Sequence, residues 1–178
     1  MATTKWALDP AHSEIQFKVK HLMITTVTGN FKAFSAEAQT DGDTFEAADI
    51  SFGAEIGSLD TNNEQRDGHL KSADFFDAET FPKMSFQSTK FEKQDDNGNF
   101  KLLGNLTIKD VTQPVALDVE FGGIQKDPWG QTKAGFTLNG KINRKNFGLN
   151  WNATLETGGV LVSDDVRILG EIQLTKQK

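Results

Sequence analysis

The sequence predicts an all-β fold, an antiparallel barrel or sandwich of about eight strands with one short helix. Along most of the chain apolar and polar residues alternate, which is typical of strands with one buried face. Turn residues separate the alternating stretches at hairpin spacing, most clearly at Asp95–Asn99. One stretch, residues 61–77, breaks the alternation, and we assign the helix to it.

The clearest strand begins at Glu14, where Ile15, Phe17, Val19 and His21 alternate with polar residues. A second strand is predicted from Val27 to Ala38, followed by a turn at 41–43 and a strand that contains Ile50 and Phe52. Further strands are predicted around residues 84–89, 102–108, 115–121, 134–142 and 166–174.

The helix is predicted over about residues 62–73, because Thr61 and Glu64 have the spacing of a capping box. Charged residues and the apolar Leu70, Phe75 and Phe76 lie close together here. Since the apolar side chains must be buried nearby, we interpret the segment as a lid at a cavity mouth. A polar helix packed on a barrel is the simpler alternative.

Composition limits the possible functions. At 178 residues the chain fits one domain, residues 1–178, and 14 Phe without any Tyr indicate a large apolar interior. The net charge of −6 argues against a nucleic-acid partner. Because the chain has no cysteine, disulfides, thiolate nucleophiles and Cys-ligated metals are excluded.

No run approaches the roughly 18 apolar residues of a membrane span, so we expect no span. The first residues lack the apolar core of a signal peptide. As written, the chain is expected to be cytoplasmic; it would be periplasmic or secreted if a signal had been removed.

Catalytic and metal motifs are weak. His12, His21 and His69 lack the i,i+4 spacing of a helical zinc site, so we expect no metal and no cofactor. Asp9, His12 and Ser13 evoke a nucleophilic triad, but the chain has no G-x-S-x-G elbow. We interpret these three residues as a turn whose side chains satisfy local backbone groups.

Several motifs, in order along nearly the whole chain, resemble those of the YceI-like family of lipocalin-like proteins that bind polyisoprenoids and related lipids. They are Trp6–Ser13 (WALDPAHS), Lys20–Leu22 (KHL), Gly29–Phe31 (GNF), Arg66–Asp77 (RDGHLKSADFFD), Phe81–Thr89 (FPKMSFQST), Gly104–Val115 (GNLTIKDVTQPV) and Asn143–Leu149 (NRKNFGL).

The resemblance implies an extended eight-stranded antiparallel lipocalin-like barrel with a short helix at its mouth. It implies non-enzymatic binding, storage or transport of a long-chain apolar lipid of the polyisoprenoid, isoprenoid quinone or fatty-acyl type. A homodimer is compatible with it. Two alternatives stay open: an enzyme acting on a lipid head group with His21 or His69 as base, and a stress-related interaction protein with a filled core.

Five residues are predicted to bind the ligand head group: His21, Arg66, Asp67, His69 and Arg144. Guanidinium groups match the geometry of phosphate and carboxylate, and His21 ends an inward-facing apolar row. A core histidine and an internal bridge from an arginine to a neighbouring aspartate are the structural alternatives.

The ligand channel is predicted from apolar residues of the strands, which could instead fill a core. They are Phe17, Val19, Phe31, Ile50, Phe52, Met84, Phe86, Leu106, Val119, Phe136 and Trp151.

Overall fold

The computed structural model describes residues 3–22, 24–152 and 162–177. In these ranges it contains one α-helix, α1 (Glu64–Leu70), and eleven strands. The strands are β1 (Thr3–Leu8), β2 (Glu14–His21), β3 (Thr25–Phe31), β4 (Phe34–Asp41), β5 (Thr44–Glu55), β6 (Leu59–Asp60), β7 (Lys83–Lys93), β8 (Asn99–Ile108), β9 (Val111–Lys126), β10 (Thr132–Asn143) and β11 (Val162–Lys176).

The strands form a closed antiparallel barrel. Six of them are halves of three interrupted strands, in which β1 continues as β2, β3 as β4, and β5 as β6. The halves pair accordingly: β1 with β4 and β2 with β3, then β4 with β5 and β3 with β6. The remaining strands follow in sequence order, and β11 pairs back to β1 and β2. The predicted eight-stranded antiparallel barrel with one short helix is therefore confirmed.

The predicted strand from Val27 to Ala38 is interrupted. At Lys32 and Ala33 the backbone leaves the β3–β4 line: the Lys32 N–H donates to Ser58 O at 3.2 Å, and the Glu55 N–H donates to Ala33 O at 2.9 Å. These bonds satisfy the backbone groups that the interruption frees.

Turns alternate between the two ends of the barrel. One end, which we call the mouth end, carries the β2–β3 and β8–β9 turns, the β10–β11 connection, and residues 61–82 with α1. The opposite end, the floor end, carries the β4–β5, β7–β8 and β9–β10 hairpins. The segment with α1 bridges β6 and β7, which do not pair with each other in the described chain.

β5 and β7 separate towards the floor end. Their pairing runs only from Ser51–Glu55 against Lys83–Gln87. Where this pairing stops, the Ile50 N–H donates to the side-chain Oγ of Ser88 at 2.8 Å, in place of a backbone carbonyl of β7. The register shifts on both strands beyond this point, and Ala47 has a φ of 65°. These β-bulges change which face the residues nearer the floor end occupy.

The helix begins later than the capping box predicted. Its N-cap is Asn63, whose Oδ1 accepts from the Arg66 N–H at 3.0 Å. Thr61 precedes the cap, so the prediction that Thr61 caps the helix was wrong. The reason is that the Thr61 hydroxyl bonds the side chains of Arg66 and Asp67 instead.

The turn between β1 and β2 is built around Asp9, as the sequence predicted. Asp9 Oδ1 accepts from the Ala11 N–H at 3.1 Å, and Oδ2 lies 2.9 Å from both Lys133 Nζ and His12 Nδ1. The hydrogen bond from Lys133 is the main cause that lowers the pKa of Asp9. The turn is thereby tied to β10.

Some inward glycines make room for neighbouring rings. A Cβ on Gly104 would overlap the Phe86 ring and lie 2.5 Å from Gln87 O, whereas a Cβ on Gly53 would meet nothing closer than 3.8 Å. The glycine at 104 therefore lets Phe86 pack across β8.

We predict that Gly104→Ala lowers the free energy of unfolding by about 1–3 kcal/mol, because backbone and ring must both shift to admit the methyl group. The matched control is Gly53→Ala, which should leave stability unchanged or raise it by up to about 1 kcal/mol. Urea denaturation measures both. Equal stability of the two variants would contradict the packing role of Gly104.

A second prediction concerns pH. Because the pKa of Asp9 is lowered on folding, its contribution to stability is present above the unfolded value of 3.8 and is lost as pH falls through the lower folded value. The stability difference between wild type and Asp9→Asn should thus be larger near pH 6 than near pH 3. Urea titrations at both pH values measure it, and a difference that stays constant would refute the bridge.

Candidate functional site

The barrel contains an apolar cavity of about 200 Å³. All but three of the described residues that line it are apolar; the exceptions are Gln16, Glu37 and Arg144. Gln16 and Glu37 lie between inward-facing neighbours along β2 and β4, so the strand alternation directs their side chains outward. Arg144 is thus the one charged side chain on the described cavity wall.

The lining residues extend along most of the barrel. Val162 and Leu174 both line it, and at about 3.3 Å per residue they lie roughly 40 Å apart along β11. With the usual strand tilt of about 40°, this corresponds to ~30 Å along the barrel axis. A wall that extends this far along the barrel suits one extended chain better than a compact ligand.

Ten of the eleven residues predicted for the channel line this cavity. They are Phe17, Val19, Phe31, Ile50, Phe52, Met84, Phe86, Leu106, Val119 and Phe136. Trp151 does not line it; its ring packs on Phe75, which does.

The structure adds lining residues that the channel prediction did not include. Leu70, Phe75 and Phe76 come from α1 and the residues after it, so this segment closes the mouth end. Phe45 and Phe91 lie at the floor end on β5 and β7. Phe45 and Phe91 have odd numbers, whereas the inward residues Ile50 and Met84 have even ones, because a bulge separates each phenylalanine from the paired part of its strand. An alternation pattern therefore does not detect them.

Arg144 is almost fully buried, with 3% of its surface exposed. Its guanidinium donates only to backbone carbonyls among the described residues. Nε bonds Ser163 O at 2.8 Å, Nη1 bonds Leu149 O and Trp151 O at 2.6 and 2.8 Å, and Nη2 bonds Val162 O at 3.2 Å. One arginine therefore joins both ends of the β10–β11 connection.

Burial lowers the pKa of Arg144, and the charge of Asp164 opposes that effect. Arginine nevertheless remains protonated in proteins. Within the described chain no carboxylate lies within salt-bridge distance of the guanidinium. A positive charge thus borders the apolar cavity at its mouth end.

Arg66 and Asp67 do not line the cavity. Both are held by buried Thr61: Arg66 Nε donates to Thr61 Oγ1 at 2.8 Å, Arg66 Nη2 donates to Thr61 O at 2.6 Å, and Asp67 Oδ1 accepts from the Thr61 N–H at 2.8 Å. The Thr61 hydroxyl donates in turn to Asp67. The network fastens the first turn of α1 to the end of β6.

His69 also lies outside the cavity wall. Its Nε2 is 2.9 Å from Asp74 Oδ2, and its ring makes edge contacts with Phe75 and Trp151 at centroid distances of 5.2 and 4.7 Å. His69 thereby links the segment after α1 to the β10–β11 connection. These contacts join two walls of the mouth.

His21 ends the inward row of β2 and is half-buried. It pairs through its backbone with Thr25 and Val162. Its imidazole forms no hydrogen bond with any residue that the structure describes, and it does not line the cavity. Of the five predicted head-group residues, only Arg144 reaches the cavity wall.

In the described ranges no helix is long and apolar enough to cross a membrane. The same ranges contain no group of three or more His, Cys, Asp or Glu side chains that could hold a metal ion.

Comparison with known proteins identifies the family. The family model described as "YceI-like domain" matches residues 6–174. The chain belongs to the YceI-like family. A curated relative of this YceI-like protein is a UPF0312 protein of Staphylococcus epidermidis, 43% identical over 167 residues, covering 92% of this chain and 93% of the relative.

Solved structures share the fold. The YceI protein of Campylobacter jejuni is 39% identical, with a TM-score of 0.77, and the match covers 96% of this YceI-like chain and 97% of that one. A polyisoprenoid-binding domain from Saccharophagus degradans is 12% identical, with a TM-score of 0.65, and the match covers 97% and 98%. At that identity the second likeness concerns the fold alone.

We predict that Thr61→Val destabilises this YceI-like protein by about 1–3 kcal/mol, because it leaves Arg66 and Asp67 without the buried hydroxyl between them. The control Thr112→Val removes an exposed hydroxyl that bonds Thr107, and it should change stability by less than about 0.5 kcal/mol. Thermal and urea unfolding measure both variants. A Thr61→Val protein as stable as the control would contradict the network's role.

Proposed function

We propose that this YceI-like protein binds one long-chain apolar lipid inside the barrel, as a carrier or store and not as an enzyme. The candidates are polyisoprenoids, isoprenoid quinones and fatty-acyl lipids. The observation that carries the proposal is a long apolar cavity with a single charged side chain, Arg144, at one end of its described wall.

Affinity would come mainly from the tail. Burying each CH₂ contributes about 0.8 kcal/mol, from which the cost of ordering a flexible chain is subtracted. Because an apolar tube discriminates weakly between tails of similar width, the head group would provide most of the chemical selectivity.

Arg144 is the residue that we propose to bind the head. A guanidinium has five N–H donors, and four of them are used by the backbone carbonyls described above. One Nη2 N–H and the positive charge remain for a ligand oxygen. A phosphate or carboxylate would therefore be favoured over an alcohol.

The other four predicted head-group residues have supporting positions in this proposal. Arg66 and Asp67 hold α1 through Thr61. His69 hydrogen-bonds Asp74, and its ring contacts the ring of Trp151 at the mouth. His21 lies at the end of β2 next to Val162, which lines the cavity. They would shape the mouth and not contact the head.

The residues that line the cavity favour a binding protein over an enzyme that acts on a lipid head group. Neither His21 nor His69, the bases considered from the sequence, is among the described lining residues, and neither is any serine, threonine or lysine. The polyisoprenoid-binding domain of Saccharophagus degradans has the same fold, which is compatible with a lipid ligand here.

The test is a titration of delipidated protein with a prenyl phosphate and the matching prenol. Wild type should bind both and should prefer the phosphate by about 10- to 100-fold, the scale of a charge-assisted hydrogen bond. Arg144→Gln should lose that preference while still binding the prenol. Calorimetry gives both affinities, and mass spectrometry of lipid extracted from the purified protein identifies the native tail.

Two controls accompany this titration. Lys145→Gln removes a neighbouring exposed charge that does not line the cavity and should keep the preference. Arg144→Lys retains the charge without the guanidinium fork and should keep part of the preference, and thermal unfolding shows whether each Arg144 variant is folded. A folded wild type that binds neither ligand would contradict the proposed function, whereas an Arg144→Gln protein with unchanged preference would contradict only the head-group assignment.

A further inference from the structure

The floor end of the cavity is closed by aromatic rings. Phe45, Phe91 and Phe136 line the cavity there. The ring centroids of Phe45 and Phe136 are 4.9 Å apart in an edge-to-face contact, and those of Phe91 and Phe136 are 6.5 Å apart. We call these three residues the aromatic floor.

A second layer of rings lies directly behind the aromatic floor. Trp6 packs on Phe45 at 4.9 Å, Phe100 stacks on Phe91 at 4.6 Å, and Phe121 stacks on Phe136 at 5.1 Å. None of these three second-layer residues lines the cavity. Each floor ring is therefore supported by a ring of its own.

This support restrains the floor rings. Trp6, Phe45 and Phe91 are among the most buried residues of the described core. The Trp6 indole also donates to buried Thr40 Oγ1 at 2.9 Å, which fixes its orientation. A tail that reaches the floor cannot displace one ring without disturbing its partner, so further carbons would have to remain outside the cavity or overpack it.

One residue of the aromatic floor and the proposed head-group residue lie on the same stretch of chain. Phe136 lies in β10, and Arg144 follows the end of β10 directly. At about 3.3 Å per residue they are separated by ~26 Å along the strand, or ~20 Å along a barrel axis at the usual tilt. With the head at one end and the floor at the other, the hydrogen-bonded strand fixes the interval between them.

We propose that the aromatic floor sets the maximum length of tail that the cavity accepts, so that this protein selects its ligand by chain length. The inference rests on the proposed function, because it assumes a tail in the cavity with its head at the mouth end. It assigns selectivity for length to Phe45, Phe91 and Phe136.

The expected result is a break in the dependence of binding affinity on chain length: affinity rises with each added carbon up to one length and then stops rising. Each added CH₂ that is buried should tighten binding about fourfold, from ~0.8 kcal/mol per CH₂. Once the tail touches the floor, the next carbons should add little or should weaken binding. A series of linear alkyl phosphates of about eight to twenty carbons, titrated by calorimetry into delipidated protein, would locate the break.

Phe136→Ala and Phe45→Ala should move the break to longer chains by about two or more carbons, because each removes a ring and leaves space at the floor. The matched control is Phe52→Ala, which removes a cavity-lining ring about 23 Å from Phe45 along β5. The control should weaken every chain length and leave the break unchanged. Phe91 is not chosen because it also borders a surface groove between β5 and β7.

Thermal unfolding of each variant checks that it is folded. If Phe136→Ala does not fold, Phe136→Leu is the milder substitution, and Phe136→Leu should move the break in the same direction by a smaller amount. A break that moves in the floor variants but not in Phe52→Ala supports the inference. A break that stays at the wild-type length in folded floor variants overturns it, and failure of wild type to bind any chain overturns the proposed function instead.

Discussion

Closure of the sheet through β11 is the constraint on which the rest of the structure depends. β11 pairs with β10 on one side and with β1 and β2 on the other. An eight-stranded barrel closed in this way has an interior just wide enough for side chains. A cavity can therefore persist only where side chains leave it open, and its width, ends and polarity are set by individual residues.

Arg144 illustrates how a charge is accommodated in such a wall. An isolated guanidinium would be costly to bury, and here backbone carbonyls at 149, 151, 162 and 163 surround it. Because those carbonyls belong to the two ends of the β10–β11 connection, the same bonds shape the mouth. The arginine thus combines a structural requirement with the proposed recognition of a ligand oxygen, and the two roles use different N–H groups.

Much of the barrel could be predicted from alternation, since β2 occupies the residues from Glu14 to His21 that the pattern indicated. Bulges limited the prediction: Phe45 and Phe91 face inward only because the register shifts between them and the paired part of β5 and β7. The site was harder still. Two of the carbonyls that bind Arg144, those of Val162 and Ser163, lie 18 and 19 residues away in the chain, which spacing does not indicate. Arg66 is held by Thr61 only five residues away, an arrangement that the sequence allows but does not distinguish from a bridge to an aspartate.

The three tryptophans occupy three different environments along the barrel. Trp6 is 1% exposed behind the aromatic floor, Trp151 packs on His69 and Phe75 at the mouth, and Trp129 is 84% exposed on the β9–β10 turn. Indole emission depends on local polarity, so these residues act as intrinsic optical reporters of the two cavity ends and of bulk solvent. A single-tryptophan series would allow ligand arrival at the mouth to be distinguished in time from its arrival at the floor.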